Sequence, residues 1–334
     1  MHSKNTLNPI KIKKSKWLFY FVILYISNTH AQEISSIEKI AAYGYEKRFS
    51  DSSSSKKMQL QALELAKKKH NIDDQVICYS YLALTQRRLL HIKTFSRYVD
   101  SAFVLAEKTN KIRAKAFAFY SMGTLKSYIE DKPQAIENLL KAYELFSKEK
   151  AHDECAKIAA DISYLFSPAS PEKVKKYAED ALDHAAKAND AESKLYARLA
   201  YGGYLTDRLD SGYNDEWQTA LDFFKETVLL AEKNAHRIIS KSNIGIAYIN
   251  LADLYSKGPK PINETAFLQN LQKATLIAKK YNIKIIYRSA IGLQGFYYTE
   301  KGDYAKAELL FIEGIKYQQS LPYTDNYLLA TFYN

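Results

Sequence analysis

Few residues in this sequence would stop a helix. Glycine occurs 11 times and proline 7 times in 334 residues. That scarcity argues against a loop-rich or disordered chain and against a sheet built on tight turns. Cysteine is scarcer still, with only Cys78 and Cys155. They lie far apart in sequence, and intervening helices packed about 8–10 Å apart would hold them roughly 20 Å apart. A disulfide needs Cα atoms within about 7 Å, so both read as buried free thiols. The motifs of common catalytic chemistry are missing as well. There is no HExxH, no glycine-rich phosphate loop and no G-x-S-x-G. "HDEC" at 152–155 gathers four possible ligands, but consecutive positions fan around a helix, so no metal site is expected. No cofactor is expected either. Asp73 and Asp74 read as the acidic opening of a helix.

One long hydrophobic run is present, and it is short for a membrane span. Trp17–Ser27, "WLFYFVILYIS", follows Lys4, Lys11, Lys13, Lys14 and Lys16 with no acidic residue before it. A spanning helix needs about 20 apolar residues. The small residues Thr29 and Ala31 then precede Gln32. A basic start, a short apolar core and a small-x-small exit describe a secretory signal peptide over 1–31. An uncleaved anchor helix is the alternative, and the absence of a cysteine after the run argues against a lipid anchor. Removing those five lysines takes the net charge from +11 to +6. The remaining charges alternate in sign, as in "KYAEDALDHAAKANDAESK", which is the pattern of solvated helix faces. No nucleic-acid contact is expected.

What the chain does contain is a repeated phrase. "ALELAKKKHN" at Ala62 returns as "AFVLAEKTNK" at Ala102, "TVLLAEKNAH" at Thr227 and "ATLIAKKYNI" at Ala274. The small leading residue falls at Ala62, Ala102, Ala142, Ala181, Thr227, Ala274 and Gly314, in steps of 40, 40, 39, 46, 47 and 40. Twenty-one residues after five of these stand Ala83, Gly123, Ser163, Gly202 and Gly295. After Thr227 the step to Ala252 is 25, which implies a longer turn or helix there. Small residues in register on two helices mark places where backbones approach closely. Apolar residues at helical spacing surround them. Ser170–Pro171, Asn263 and Asp303 read as helix starts. "FSDSSSSK" at 49–56 and "SKGPKPINE" at 256–264 read as longer turns. Each period is therefore helix, turn, helix.

"IGLQGFYYTEKGDYAKAELLFIEGI" resembles a tetratricopeptide repeat through Gly295, Tyr298, Gly302, Tyr304, Ala307, Phe311 and Gly314. "NLADLY" and "MGTLKSYIEDKPQAIENLLKAYEL" resemble parts of it. The usual period is about 34 residues, so this array departs from the family in helix and turn length. The resemblance implies an all-α, right-handed superhelical solenoid of stacked antiparallel helix pairs, about seven of them over 32–334. It further implies a concave groove, lined by the first helix of each pair, that binds a peptide or protein. By matching turns of those helices, Arg87, Tyr120, Thr124, Lys157, Tyr164, Tyr196, Asp253 and Phe296 are the expected groove residues. The next small contact would fall one residue past Asn334, so the array is expected to be cut within an eighth repeat. The expected function is a non-catalytic interaction module, exported to the periplasm or the outer face of the inner membrane. It is similar to the sensor part of a membrane-bound transcriptional regulator or histidine kinase, with any membrane contact made through a missing C-terminal part or an uncleaved signal anchor. A free periplasmic scaffold or assembly factor is the alternative, and an α-helical toroid enzyme a more distant one.

Overall fold

The computed structural model describes residues 37–88, 91–167 and 169–319. The expected signal peptide and the segment 320–334 lie outside the described residues. The described chain is helical, with no strand among those residues. Fourteen α-helices follow one another: α1 Ile37–Glu46, α2 Ser52–Lys68, α3 Ile72–Arg88, α4 Ile92–Ala106, α5 Ile112–Tyr128, α6 Lys132–Lys148 and α7 His152–Phe166. Then come α8 Pro171–Lys187, α9 Ala191–Asp210, α10 Trp217–Lys233, α11 Lys241–Ser256, α12 Glu264–Tyr281, α13 Lys284–Glu300 and α14 Tyr304–Gln319. Each odd-numbered helix packs on the even-numbered helix that follows it, giving seven antiparallel pairs stacked into a solenoid. No described helix is long and apolar enough to cross a membrane.

The small residues counted in the sequence sit where the two helices of a pair meet. Ala62, Ala102, Ala142, Ala181, Thr227 and Ala274 are fully buried on the second helices, and Ala83, Ser163 and Ala252 on the first. A Cβ on Gly123 would stand 2.7 Å from Leu139, and one on Gly295 would stand 2.3 Å from the Phe311 ring. Between α7, α8 and α9 the closeness is general. Ala156, Ala159, Ala160, Ala181, Ala185, Ala197 and Ala200 form one buried cluster there.

Local chemistry explains the helix starts. Asp51, Asp131, Asp190 and Asn263 each accept a hydrogen bond from a first-turn amide. Ser170 precedes Pro171 as expected, but its side chain makes no capping hydrogen bond. The polar stretch at 49–56 was expected to be a turn. Most of it is helix instead, because Asp51 caps α2 and Ser52–Ser55 form its first turn. The stretch at 256–264 is a turn over 257–263. The longer step after Thr227 lies in the connection 234–240 between α10 and α11, not in a longer helix.

One cluster spanning the third and fourth pairs should respond to pH. His152 on α7 and His184 on α8 face each other with their Nδ1 atoms 2.9 Å apart, and the Tyr143 hydroxyl on α6 lies 3.1 Å from Nε2 of His184. Burial, together with His152 and Lys187, lowers the pKa of His184, against an opposing pull from Asp180 and Asp183. The unfolded chain therefore takes up this proton more readily than the folded one. Stability is fully present above about pH 6.5 and falls as pH drops through the folded value. The thermal midpoint is expected to decline more steeply from pH 7 to pH 5 in the native chain than in His184→Gln. Equal slopes would show that another group governs the decline.

Candidate functional site

Successive first helices lie against one another along the array, with one exception: α5 and α7 barely meet. A groove compartment of about 580 Å³ opens at that parting, with the buried Leu139 of α6 at its floor. Its walls come from the first helices: Arg87 on α3, Thr124 and Ser127 on α5, Asp161 and Tyr164 on α7, and Tyr196 on α9. Glu130 from the turn after α5, Lys132 at the start of α6 and Leu165 on α7 complete the lining.

Asp161 organises the polar part of this wall. The Tyr196 hydroxyl donates to its Oδ1 at 2.6 Å. Burial raises its pKa, and the opposing effects of Arg87, Tyr196 and Tyr120 do not fully offset that rise. Burial would lower the pKa of Arg87, yet Asp161 and the hydroxyls of Tyr196 and Tyr120 leave it raised. The guanidinium nevertheless makes no ion pair within 4 Å to any described residue, and its side chain is exposed in the groove. Thr124 is 2% exposed, and its Oγ1 has no hydrogen-bond partner among the described residues. Tyr164, 41% exposed, tilts against Tyr196 with ring centroids 6.0 Å apart.

Of the eight residues expected in the groove, Arg87, Thr124, Tyr164 and Tyr196 line this compartment, and Tyr120 lies close enough to Asp161 and Arg87 to interact with both. Lys157 sits one turn before Asp161 and is occupied. It pairs with Asp190 at 2.8 Å. Burial would raise the Asp190 carboxyl, but Lys157 and hydrogen bonds from Ser193 and the Glu192 amide hold it at about 2. That pair joins α7 to the N-terminus of α9. Asp253 on α11 bonds Lys257 at 2.9 Å, and Phe296 on α13 is exposed with its ring 5.5 Å from Phe311. Neither lines the compartment. Sequence reasoning missed Asp161, although its position was readable: it lies four residues after Lys157 and three before Tyr164, on the same helix face.

The short 3₁₀ turn Lys47–Phe49 after α1 carries Arg48, whose guanidinium stands 3.7 Å from Glu192 of α9. Glu192 also accepts from the amides of Ile239 and Ser240 at 2.8 and 3.1 Å. The first pair is thereby tied to the fifth and to the connection that follows it. The thiol of Cys78 is buried and pushed up to about 12, so it offers no nucleophile. No described group of three or more His, Cys, Asp or Glu residues is placed to hold a metal ion. Among the described residues, the groups that favour the charge of Asp161 are Arg87, Tyr196 and Tyr120.

Neither a family model nor a curated protein matches this sequence. Solved structures do match its fold. A Rap protein complexed with competence and sporulation factor superposes with a TM-score of 0.65 at 16% identity, over 88% of this chain and 80% of that one. NprR in complex with its cognate peptide NprX gives 0.60 at 13% identity, over 90% and 82%. A STAND signal-transduction ATPase from Pyrococcus horikoshii, described as carrying a tetratricopeptide repeat sensor, gives 0.50 at 16% identity over 78% of this chain but 40% of that one. The seven stacked pairs, the small residues at each pair's crossing and these likenesses agree: this chain has the helical-repeat solenoid fold of tetratricopeptide-repeat proteins.

Proposed function

We propose that this protein is an exported, non-catalytic binding module that takes a peptide, or a segment of a partner protein, into the groove compartment between α5 and α7. We further propose that it serves as the extracytoplasmic sensing part of a membrane-bound regulator. One observation carries the binding reading. An unpaired guanidinium, an under-compensated carboxylate, exposed tyrosine and a buried hydroxyl without a partner converge on one recess walled by four different repeats. Arg and Tyr are frequent binding anchors. A ligand touching four repeats would favour one curvature of the solenoid over another, which is how a groove of this kind transmits occupancy. The solved relatives in complex with a factor and with a cognate peptide support the same reading. Export is supported by the basic, apolar and small-residue order of 1–31.

Selection of peptides from a random displayed library on the purified protein tests the binding. Enriched peptides should lose affinity at least about tenfold with Arg87→Glu, which reverses the charge at the recess. They should keep it with Phe296→Ala. Peptides indifferent to Arg87→Glu would overturn the placement. Fractionation of source cells, followed with antibody to residues 37–319, tests the location. The membrane fraction is expected. A soluble periplasmic band at the mass of residues 32–334 would point to a free scaffold or assembly factor instead.

A further inference from the structure

We infer that the compartment recognises a small zwitterion, an amino-acid unit presenting a free carboxylate to Arg87 and a free ammonium to Asp161. This deepens the proposed function and rests on it, since it assumes that the ligand sits between α5 and α7. The two charges do not satisfy each other. Arg87 and Asp161 face one recess, yet no ion pair joins them within 4 Å. A guanidinium has five donors in a fixed fork that suits a carboxylate. Those of Arg87 make no hydrogen bond to a described residue, although the residue lines the recess.

Asp161 is in the complementary position. Its Oδ1 takes the Tyr196 hydroxyl, but burial still outweighs every group that favours its charge. A cation brought against it would remove that deficit. A ligand with one charge would satisfy one residue and crowd the other with a neutral or like-charged group. A ligand with both charges satisfies the pair. The volume agrees. About 580 Å³ falls within the range of roughly 300–1,000 Å³ typical of sites for small ligands. Tyr164 and Tyr196 supply ring faces for the side chain of whatever unit is held.

Two sources share this chemistry, a free amino acid and a short peptide with both ends free. The test uses the full protein and follows the thermal midpoint and titration calorimetry. The probes are a random tripeptide pool with free termini, the same pool N-acetylated, the same pool C-amidated, and an equimolar mixture of the free amino acids. The free pool or the amino-acid mixture should raise the midpoint, and whichever does so identifies the source. If the tripeptides bind, each blocked pool should require at least about ten times the concentration. If the amino acids bind, their N-acetylated and C-amidated forms should show the same penalty. Arg87→Gln should lose the discrimination against C-amides, and Asp161→Asn the discrimination against N-acetyl groups. Asp161→Asn is isosteric, Arg87→Gln removes the charge and the donor fork, and circular dichroism confirms that both variants fold.

Equal binding of free and blocked forms overturns the inference while leaving the groove reading intact. If no short zwitterion binds but the displayed peptides bind in an Arg87-dependent way, the inference again falls alone. If neither class binds, both fall.

Discussion

Gly202→Ala and Gly203→Ala, one residue apart on α9, should change stability in opposite directions. In an exposed helix interior, glycine to alanine gains about 0.8–1 kcal/mol from backbone entropy. Gly203 is placed to realise that gain, because a Cβ there would meet only Tyr164 Cε1 at an ordinary 3.7 Å. A Cβ on Gly202 would stand 2.3 Å from Cζ of Phe224. That ring, on α10, is completely buried in the core. Overpacking of this kind costs about 1–3 kcal/mol, more than the propensity gain returns. Gly202→Val adds a branched side chain at the same crossing and should reach the upper end of that range or beyond. Trp217 opens α10 and donates its indole N–H to the Leu254 carbonyl at 2.7 Å. Its fluorescence therefore reports on the fifth pair directly during urea unfolding. Phe224→Leu should relieve much of the cost of Gly202→Ala, so the double variant should be more stable than the two single losses added together. An unchanged urea midpoint in Gly202→Val would mean that the helices are not held at this separation.

The same glycine shows why the fold was legible. A solenoid repeats one packing problem, and each solution leaves a small residue at the same register. Gly123, Gly202 and Gly295 could be aligned by counting, without knowing which ring each would meet. The site was only partly legible. Arg87, Thr124, Tyr164 and Tyr196 share a helix face set by the repeat, so register alone brought them to one wall. The parting of α5 from α7 is a departure from the repeat, and nothing periodic announces it. Lys157 illustrates the other limit. Its register is that of a groove residue, but its partner, Asp190, caps the next first helix and sits 33 residues away. Whether a charge is spent on the scaffold or left for a ligand depends on pairings between repeats, and a sequence pattern read one repeat at a time does not contain them.

Pairings between repeats should also have the largest electrostatic effect on stability, and Arg113 is where they concentrate. It stands at the start of α5 and reaches three carboxylates: Glu38 of α1 at 2.7 Å, Glu154 of α7 at 3.1 Å and Glu149, just after α6, at 3.9 Å. Its guanidinium lies over Phe117 at 5.2 Å and near Phe146 at 5.9 Å, both rings buried in the N-terminal core. Burial works against the charge, but the carboxylates outweigh it and leave the pKa of Arg113 raised. Arg113→Met keeps the bulk and removes the charge. Glu38, Glu149 and Glu154 would then face one another with no cation between them. Losing one member of a fully buried pair costs about 3–5 kcal/mol. Arg113 retains 30% exposure, so solvent screens part of the loss and about 2–3 kcal/mol is expected. Arg113→Lys should recover only a fraction, because a single ammonium cannot bond three carboxylates in the guanidinium's planar fork. Adding salt should narrow the gap between native and Arg113→Met protein by screening the exposed carboxylates. In a linear array each pair is held mainly by its neighbours, so the loss should appear first as early melting of the first three pairs. Hydrogen exchange over 37–148 would detect it, with α10–α12 unchanged. Uniform destabilisation along the whole chain would show instead that the Arg48–Glu192 tie makes the first and fifth pairs unfold together.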